Sequence, residues 1–212
     1  MLVDIHTHSS HTTTHSLAVR NLNLNEAEDF FKSDEQALCT VGIHPWHADS
    51  FLEDMLSKQE EWSKDKRFFA IGECGLDKHS NVGFEKQLSV FETQIAISEN
   101  SSKPLIIHCV GYFNELLALK KKWNPTQLWI IHGFRGKPEL ATQVLKSGCA
   151  LSYGEHFNAE SVRLTPTEQL FVETDESILN INEIYQNIAI TKVCKIEYLN
   201  AGIQLLEETT QR

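Results

Sequence analysis

Six side chains that can bind a divalent cation fall where short apolar runs end: His6 and His8 in LVDIHTH, Glu73 in FFAIGE, His108 in PLIIHC, His132 in LWIIHG and Asp175 in LFVETD. Imidazole and carboxylate are the ligands of zinc, manganese and related ions. In an extended segment, side chains alternate with period two, so His6 and His8 point the same way and both can reach one ion. An imidazole closing a run such as LIIH or WIIH would otherwise be buried at a cost with no evident partner. A carboxylate at Glu73 can bridge two cations, or it can pair with a neighbouring basic side chain. Asp175 is the only aspartate after residue 78. Taken alone it could cap a following helix, but its company at the other run ends favours a metal.

These residues need elements to bring them together. Eight β-rich runs are expected as strands, at residues 2–6, 17–23, 38–44, 67–73, 104–109, 127–132, 149–153 and 170–175. Several are apolar without alternation, as in strands covered on both faces, which belong in a barrel or a doubly wound sheet. Helical spacing of apolar positions marks residues 25–36, 50–64, 83–100, 113–123, 137–147, 181–191 and 195–210. Only SSHTTTHS, residues 9–16, joins the first two strands, which is too short for an ordinary crossover helix. The expected fold is therefore an α/β, TIM-like (β/α)8 barrel, shortened and lacking its first helix, with residues 1–212 as one domain. In such a barrel the strand ends that carry the candidate ligands share one face.

Composition restricts the partners. With 29 acidic against 19 basic residues, the formal charge of -10 repels a phosphate backbone at long range, so a polyanionic substrate needs a local attractor such as bound cations. Five cysteines without a CxxC pair fit a reducing, cytoplasmic compartment. Cys74 and Cys109, one residue past Glu73 and His108, should point away from the site as packing groups. The opening MLVDIHTH reads as a strand rather than a leader, and no run approaches the roughly 20 apolar residues of a membrane span. No obligatory protein partner is evident.

In order, DIHTH, GIHP, IGECGLD, IIHC, IIHGF and FVETD resemble the successive motifs of the TatD-type deoxyribonuclease family, within the amidohydrolase-like barrels, over residues 1 to about 177. The resemblance implies two divalent metals, with His6, His8 and Asp175 around one, His108 and His132 around the other, and Glu73 bridging. Such a pair makes hydroxide from a shared water near neutral pH, and Asp175 is then the natural proton acceptor, so Glu73 and Asp175 are the expected catalytic carboxylates. Zinc or manganese suits the donor set; nickel and iron are alternatives, and magnesium is less natural with four imidazoles.

By the same resemblance His44, in GIHPWH, contacts the substrate phosphate. Arg135 and Lys137, just past His132, are further candidates for substrate contact, although GKPEL also reads as a helix start. The implied activity is phosphodiester hydrolysis on DNA ends or a small phosphodiester. The short first connection and the Glu176-Ser177-Ile178-Leu179 segment depart from the family pattern and trim its substrate loops; His11 and His15 could replace lost contacts. Alternatives are an amidohydrolase-like or PHP-type phosphoesterase acting on a small substrate, and a metal-binding member without turnover. A PHP-type enzyme would need a late Asp-x-His element, which this chain lacks.

Overall fold

The computed structural model describes residues 1–9, 16–50 and 53–203. Its strands are β1 (Leu2–Thr7), β2 (Ser16–Leu22), β3 (Leu38–Val41), β4 (Phe68–Asp77), β5 (Leu105–Val110), β6 (Trp129–Ile131), β7 (Ala150–Tyr153) and β8 (Leu170–Val172), and they follow one another in sheet order. The helices among the described residues are α1 (Leu24–Lys32), α2 (Glu53–Trp62), α3 (Phe84–Ser101), α4 (Phe113–Trp123), α5 (Pro138–Lys146), α6 (Ala159–Leu164) and α7 (Ile181–Lys192). β1 and β2 pair in parallel, Val3 opposite Leu17, and no helix is described between them. This is the order of a (β/α)8 barrel, as the sequence pattern predicts; the expectation that the first helix is lacking falls on residues 10–15, outside the described residues.

Residue contacts divide the chain into two compact units, Met1–Arg20 with Ile130–Arg212, and Asn21–Trp129. In the first unit, β7 lies parallel to β8 with Leu151 opposite Leu170, and β6 to β7 with Ile130 opposite Ala150. Ile5, Val19, Leu151, Phe171, Ile184 and Ile188 are buried there. α7 starts on a capping box, in which the Asn180 side chain accepts from the Glu183 N–H and the Glu183 side chain accepts from the Asn180 N–H. Its Tyr185 hydroxyl donates to the Val3 carbonyl at 2.9 Å, fastening the helix to β1.

In the second unit, β3, β4 and β5 are parallel, with Val41 opposite Ile71 and Gly75 opposite His108. Glycines let these strands close up around Glu73. A Cβ at Gly42 would stand 2.6 Å from the Glu73 carbonyl oxygen, and one at Gly75, where φ is +137°, would stand 2.0 Å from the His108 carbonyl oxygen. α3 turns two buried glutamines inward. The Gln94 amide both accepts from and donates to the Ile43 backbone (2.7 and 3.2 Å), and Gln87 does the same at Asp77 (2.8 and 3.0 Å). The backbones just past β3 and at the end of β4 are thereby braced by one helix.

The elements depart from expectation in detail. β4 runs on through Cys74 to Asp77, so Glu73 lies inside the strand rather than at its end; Gly72 and Gly75 keep the backbone close to its neighbours there. β3 stops at Val41 and β8 at Val172, leaving His44 and Asp175 on the loops that follow. α6 was not expected, because six residues are too few to display a period. The expected 195–210 helix is a 3-10 turn at Ile196–Asn200 leading into helical residues 201–203, and the remainder lies outside the described residues. No described helix is long and apolar enough to cross a membrane.

Candidate metal centre

In the first unit, the backbone of Asp175 inserts beside β1: its N–H donates to the His6 carbonyl (3.0 Å) and its carbonyl accepts from the His8 N–H (3.2 Å). Asp175 holds φ at +54°, in the left-handed region, which aspartate tolerates better than most residues but which still carries strain. A hydrogen-bond chain supports this conformation. Thr174 donates its N–H (2.9 Å) and its hydroxyl (2.6 Å) to the two oxygens of Asp4, and its hydroxyl also lies 2.8 Å from that of Thr7. Burial pushes the Asp4 carboxyl up to about 7, against the lowering effect of the Thr174 bonds.

The outcome is that one Asp175 oxygen faces two imidazoles, 3.7 Å from His6 Nε2 and 3.6 Å from His8 Nε2. Two ligand atoms each bound at about 2.0–2.1 Å to a tetrahedral ion stand roughly 3.4 Å apart, so the spacing suits a shared cation rather than hydrogen bonds. The His132 ring lies tilted against that of His6, with centroids 4.4 Å apart, and its Nδ1 lies 3.5 Å from Glu173 Oε1. Glu173 is fully buried and accepts from the Gly133 N–H at 2.6 Å. Burial raises its carboxyl, but His132, His6 and Ser152 more than offset that and hold it below the ordinary range. His132, Glu173 and Asp175 form a second ligand-spaced group, their donor atoms within 4.8 Å of one another.

In the second unit, His108 has a carboxylate on each ring nitrogen, Glu73 Oε1 at 2.9 Å from Nδ1 and Asp77 Oδ2 at 2.9 Å from Nε2. A neutral imidazole donates only once, so the second contact requires either another proton or a cation. This is the pattern of a metal-ligating histidine whose other nitrogen is fixed by a carboxylate. The Trp46 indole N–H donates to the same Asp77 oxygen at 2.8 Å. Asn21 Oδ1 accepts from the Glu73 N–H at 2.8 Å and the Thr40 hydroxyl at 3.1 Å, holding the Glu73 backbone in place.

His44 completes this group, with Nε2 at 3.4 Å from Glu73 Oε1. Its Nδ1 accepts from the Trp46 backbone N–H at 3.2 Å, which puts the proton of the neutral ring on Nε2. A protonated nitrogen cannot ligate a cation, so although His44, Glu73 and His108 stand at ligand spacing, His44 in this tautomer presents an N–H donor at Nε2.

The donor sets fit divalent cations in both units. His6, His8, His132 and Asp175 gather in one, and Glu73 and His108 in the other, with the His44 N–H beside them. Arg135 and Lys137 are exposed on the β6–α5 connection, and Lys137 is the residue before Pro138 at the start of α5, so the helix-start reading accounts for it. His11 and His15 lie outside the described residues. None of the five cysteines is in a disulfide, and burial drives the Cys74 thiol well above its ordinary value, which removes it as a nucleophile. Sequence reasoning missed Asp77, Glu173, Asn21 and Trp46. Two of these had a signal: Glu173 precedes Asp175 by two positions in FVETD, and Asp77 closes the apolar run that starts at Phe68.

The family model described as TatD related DNase matches residues 3–207. A 3'-5' ssDNA/RNA exonuclease TatD of Pantoea ananatis is 30% identical over 151 residues, 66% of this chain and 58% of that protein. An uncharacterized metal-dependent hydrolase of Bacillus subtilis is 29% identical over 161 residues, 72% of this chain and 63% of that protein. The chain thus aligns with less than two thirds of each of these curated relatives. Among solved structures, a TatD homolog from Escherichia coli superposes with a TM-score of 0.83 at 16% identity, covering 98% of this chain and 96% of that one. A TatD family hydrolase from Entamoeba histolytica gives 0.72 at 17% identity, with 94% of each chain covered. These likenesses establish the barrel fold.

Proposed function

We propose, from the premise that this chain belongs to the TatD related DNase family, that it is a metal-dependent phosphodiesterase that removes nucleotides from single-stranded nucleic-acid ends. The observation that carries the reading is His108, held between Glu73 and Asp77 in the geometry of a metal ligand with its supporting carboxylate. The curated exonuclease named above supports the choice of substrate.

On this reading each unit contributes a cation site, one built on His6, His8 and Asp175, the other on Glu73 and His108, with His132 among the ligands. Zinc or manganese fits these mixed imidazole and carboxylate donors best. When bound, such ions lower the pKa of a coordinated water to near 7 and polarise a phosphoryl oxygen. Asp175 accepts the proton that the attacking water loses; its carboxylate is held in reach by the backbone bonds to His6 and His8. His44 donates a hydrogen bond from its Nε2–H to a non-bridging phosphate oxygen, its Nδ1 being occupied by the Trp46 N–H. Asp77 fixes the tautomer of His108, and Glu173 orients His132. Arg135, exposed past β6, is the candidate for a second phosphate contact. The five free thiols support a reducing, cytoplasmic setting.

The test is metal-dependent hydrolysis of bis(p-nitrophenyl) phosphate beside a labelled single-stranded oligonucleotide, comparing wild type with Glu73→Ala under zinc, manganese or magnesium. Mononucleotide release that the substitution abolishes is the expected result. Cleavage of the model diester with an intact oligonucleotide would move the substrate to a smaller molecule, and inactivity on both despite bound metal would sink the reading.

A further inference from the structure

Trp46 is more than half exposed, at 55%, yet it is not loosely attached. It sits on the 3-10 turn Pro45–His47, and that turn is anchored without it: Pro45, Ile43 and Ala48 are buried, the last two packing with Val82 and Val90. The indole N–H is committed to Asp77 Oδ2 at 2.8 Å, the oxygen that also receives His108 Nε2. Its ring stands edge-on to His44, with centroids 5.3 Å apart and planes at 86°. A tryptophan side chain has only two rotatable bonds, and here its polar end is tied down, so its orientation is settled before any ligand arrives.

We propose that Trp46 is a specificity-determining residue, a stacking platform for the nucleobase next to the phosphate that His44 addresses; the proposal rests on the nucleic-acid reading above and deepens it. A flat π-face of this size can cover any base, and its use does not depend on sequence. Charge reinforces the argument. With a formal charge of -10 the chain has little to gain from neutralising a run of phosphates, so affinity for a strand end must come from contacts that are not ionic. Stacking supplies such a contact. It also selects substrates whose terminal base is out of a helix stack, which excludes the interior of a duplex. Hydrolysis of a diester that lacks an aromatic group gains nothing from the indole.

The experiment uses the metal-loaded enzyme and a short single-stranded DNA with either an ordinary or an abasic terminal residue, with wild type, Trp46→Phe and Trp46→Ala. The expected result is a KM about tenfold higher for Trp46→Ala on the ordinary end, with the gap between the two substrates largely closed. Trp46→Phe, which keeps a π-face and loses the N–H, stays within about threefold of wild type. Equal effects of Trp46→Ala on both substrates, or a fall confined to kcat, would overturn the proposal and leave Trp46 only a support for Asp77. A second arm needs no turnover: quenching of tryptophan fluorescence by thymidine 5'-monophosphate against deoxyribose 5-phosphate, in wild type and Trp46→Phe. If wild type cleaves neither DNA, the nuclease reading fails on its own; a base-dependent quench lost in Trp46→Phe still upholds the platform, and its absence ends it.

Discussion

Arg67, just before β4, and the Glu73, His108 and Asp77 group, along and beyond that strand, are charged clusters of one unit withdrawn from water, but they are built differently. Every nitrogen of the Arg67 guanidinium is used. Nη1 donates to the carbonyls of Ser33 and Glu35 at 2.9 Å each, Nη2 to Asp65 at 2.8 Å and to the Phe31 carbonyl at 3.3 Å, and Nε to Asp65 at 3.1 Å. Its cationic carbon also lies 5.0 and 5.3 Å from the Phe30 and Phe31 rings. At the other end two carboxylates converge on one imidazole, and the arrangement balances only with an added proton or metal. The difference separates charge that holds a fold from charge set at the spacing of metal ligands.

That contrast is sharpest for Glu73. Glu73→Gln is expected to cut metal-dependent turnover by about a thousandfold, while the thermal midpoint holds or rises, since a half-compensated buried charge is removed. A variant that loses activity together with its fold would show that Glu73 is as structural as Arg67. The reciprocal change, Arg67→Met, takes from Asp65 its guanidinium partner and from the Phe31, Ser33 and Glu35 carbonyls the donors that the guanidinium supplies. It should lose about 3 kcal/mol in urea unfolding with unchanged kcat per folded molecule; an altered kcat would tie the two ends of β4 together.

Asp77→Asn probes the boundary between the two kinds of cluster, because Asp77 touches His108 and would not itself bind metal. An amide in its place still reaches the Trp46 N–H through its oxygen but holds the imidazole N–H less strongly. Metal affinity is expected to weaken by about 10–100-fold, read by competition with a chromophoric chelator, with near-normal stability. An unchanged affinity would move Asp77 into the structural group with Arg67.

How much of this was legible depended on the kind of residue. His6, His8, His108, His132 and Asp175 stand out because polar groups closing apolar runs demand a partner, and the alternation of such runs with helical segments carries the barrel order. Glu73 is legible for a partly mistaken reason: its charge marks the expected end of a strand that continues to Asp77. Gln87 and Gln94 could not be picked out, since a glutamine on an amphipathic helix looks like a surface residue until the loop it braces, 51 positions away for Gln94 and Ile43, is in place. Arg67 is hidden for the same reason: most of its acceptors are backbone carbonyls 32–37 positions earlier in the chain. Trp46 reads as one more aromatic until its exposure and its anchor are both known.

Glu99 offers the smallest and finest test, a carboxylate whose two oxygens are both hydrogen-bonded. At the end of α3 its Oε1 accepts from the Gln127 N–H at 2.9 Å, and its Oε2 accepts from the Thr126 N–H at 3.0 Å and hydroxyl at 2.7 Å, pinning the segment that leads into β6. Partial burial pushes the carboxyl up, but these donors outweigh it, so the folded value lies below the ordinary 4.5. The stabilisation is therefore fully present above the unfolded value and is lost as pH falls through the folded one. Glu99→Gln should cost at most about 1 kcal/mol at neutral pH, and the gap between variant and wild type should close as the pH is lowered below 4.5 and through the folded value. Denaturation curves at neutral and acid pH measure it. A gap that persists in acid would mean that the loop is held by the shape of the side chain rather than its charge, and Glu99 would then differ in kind from Arg67 instead of repeating its logic on a smaller scale.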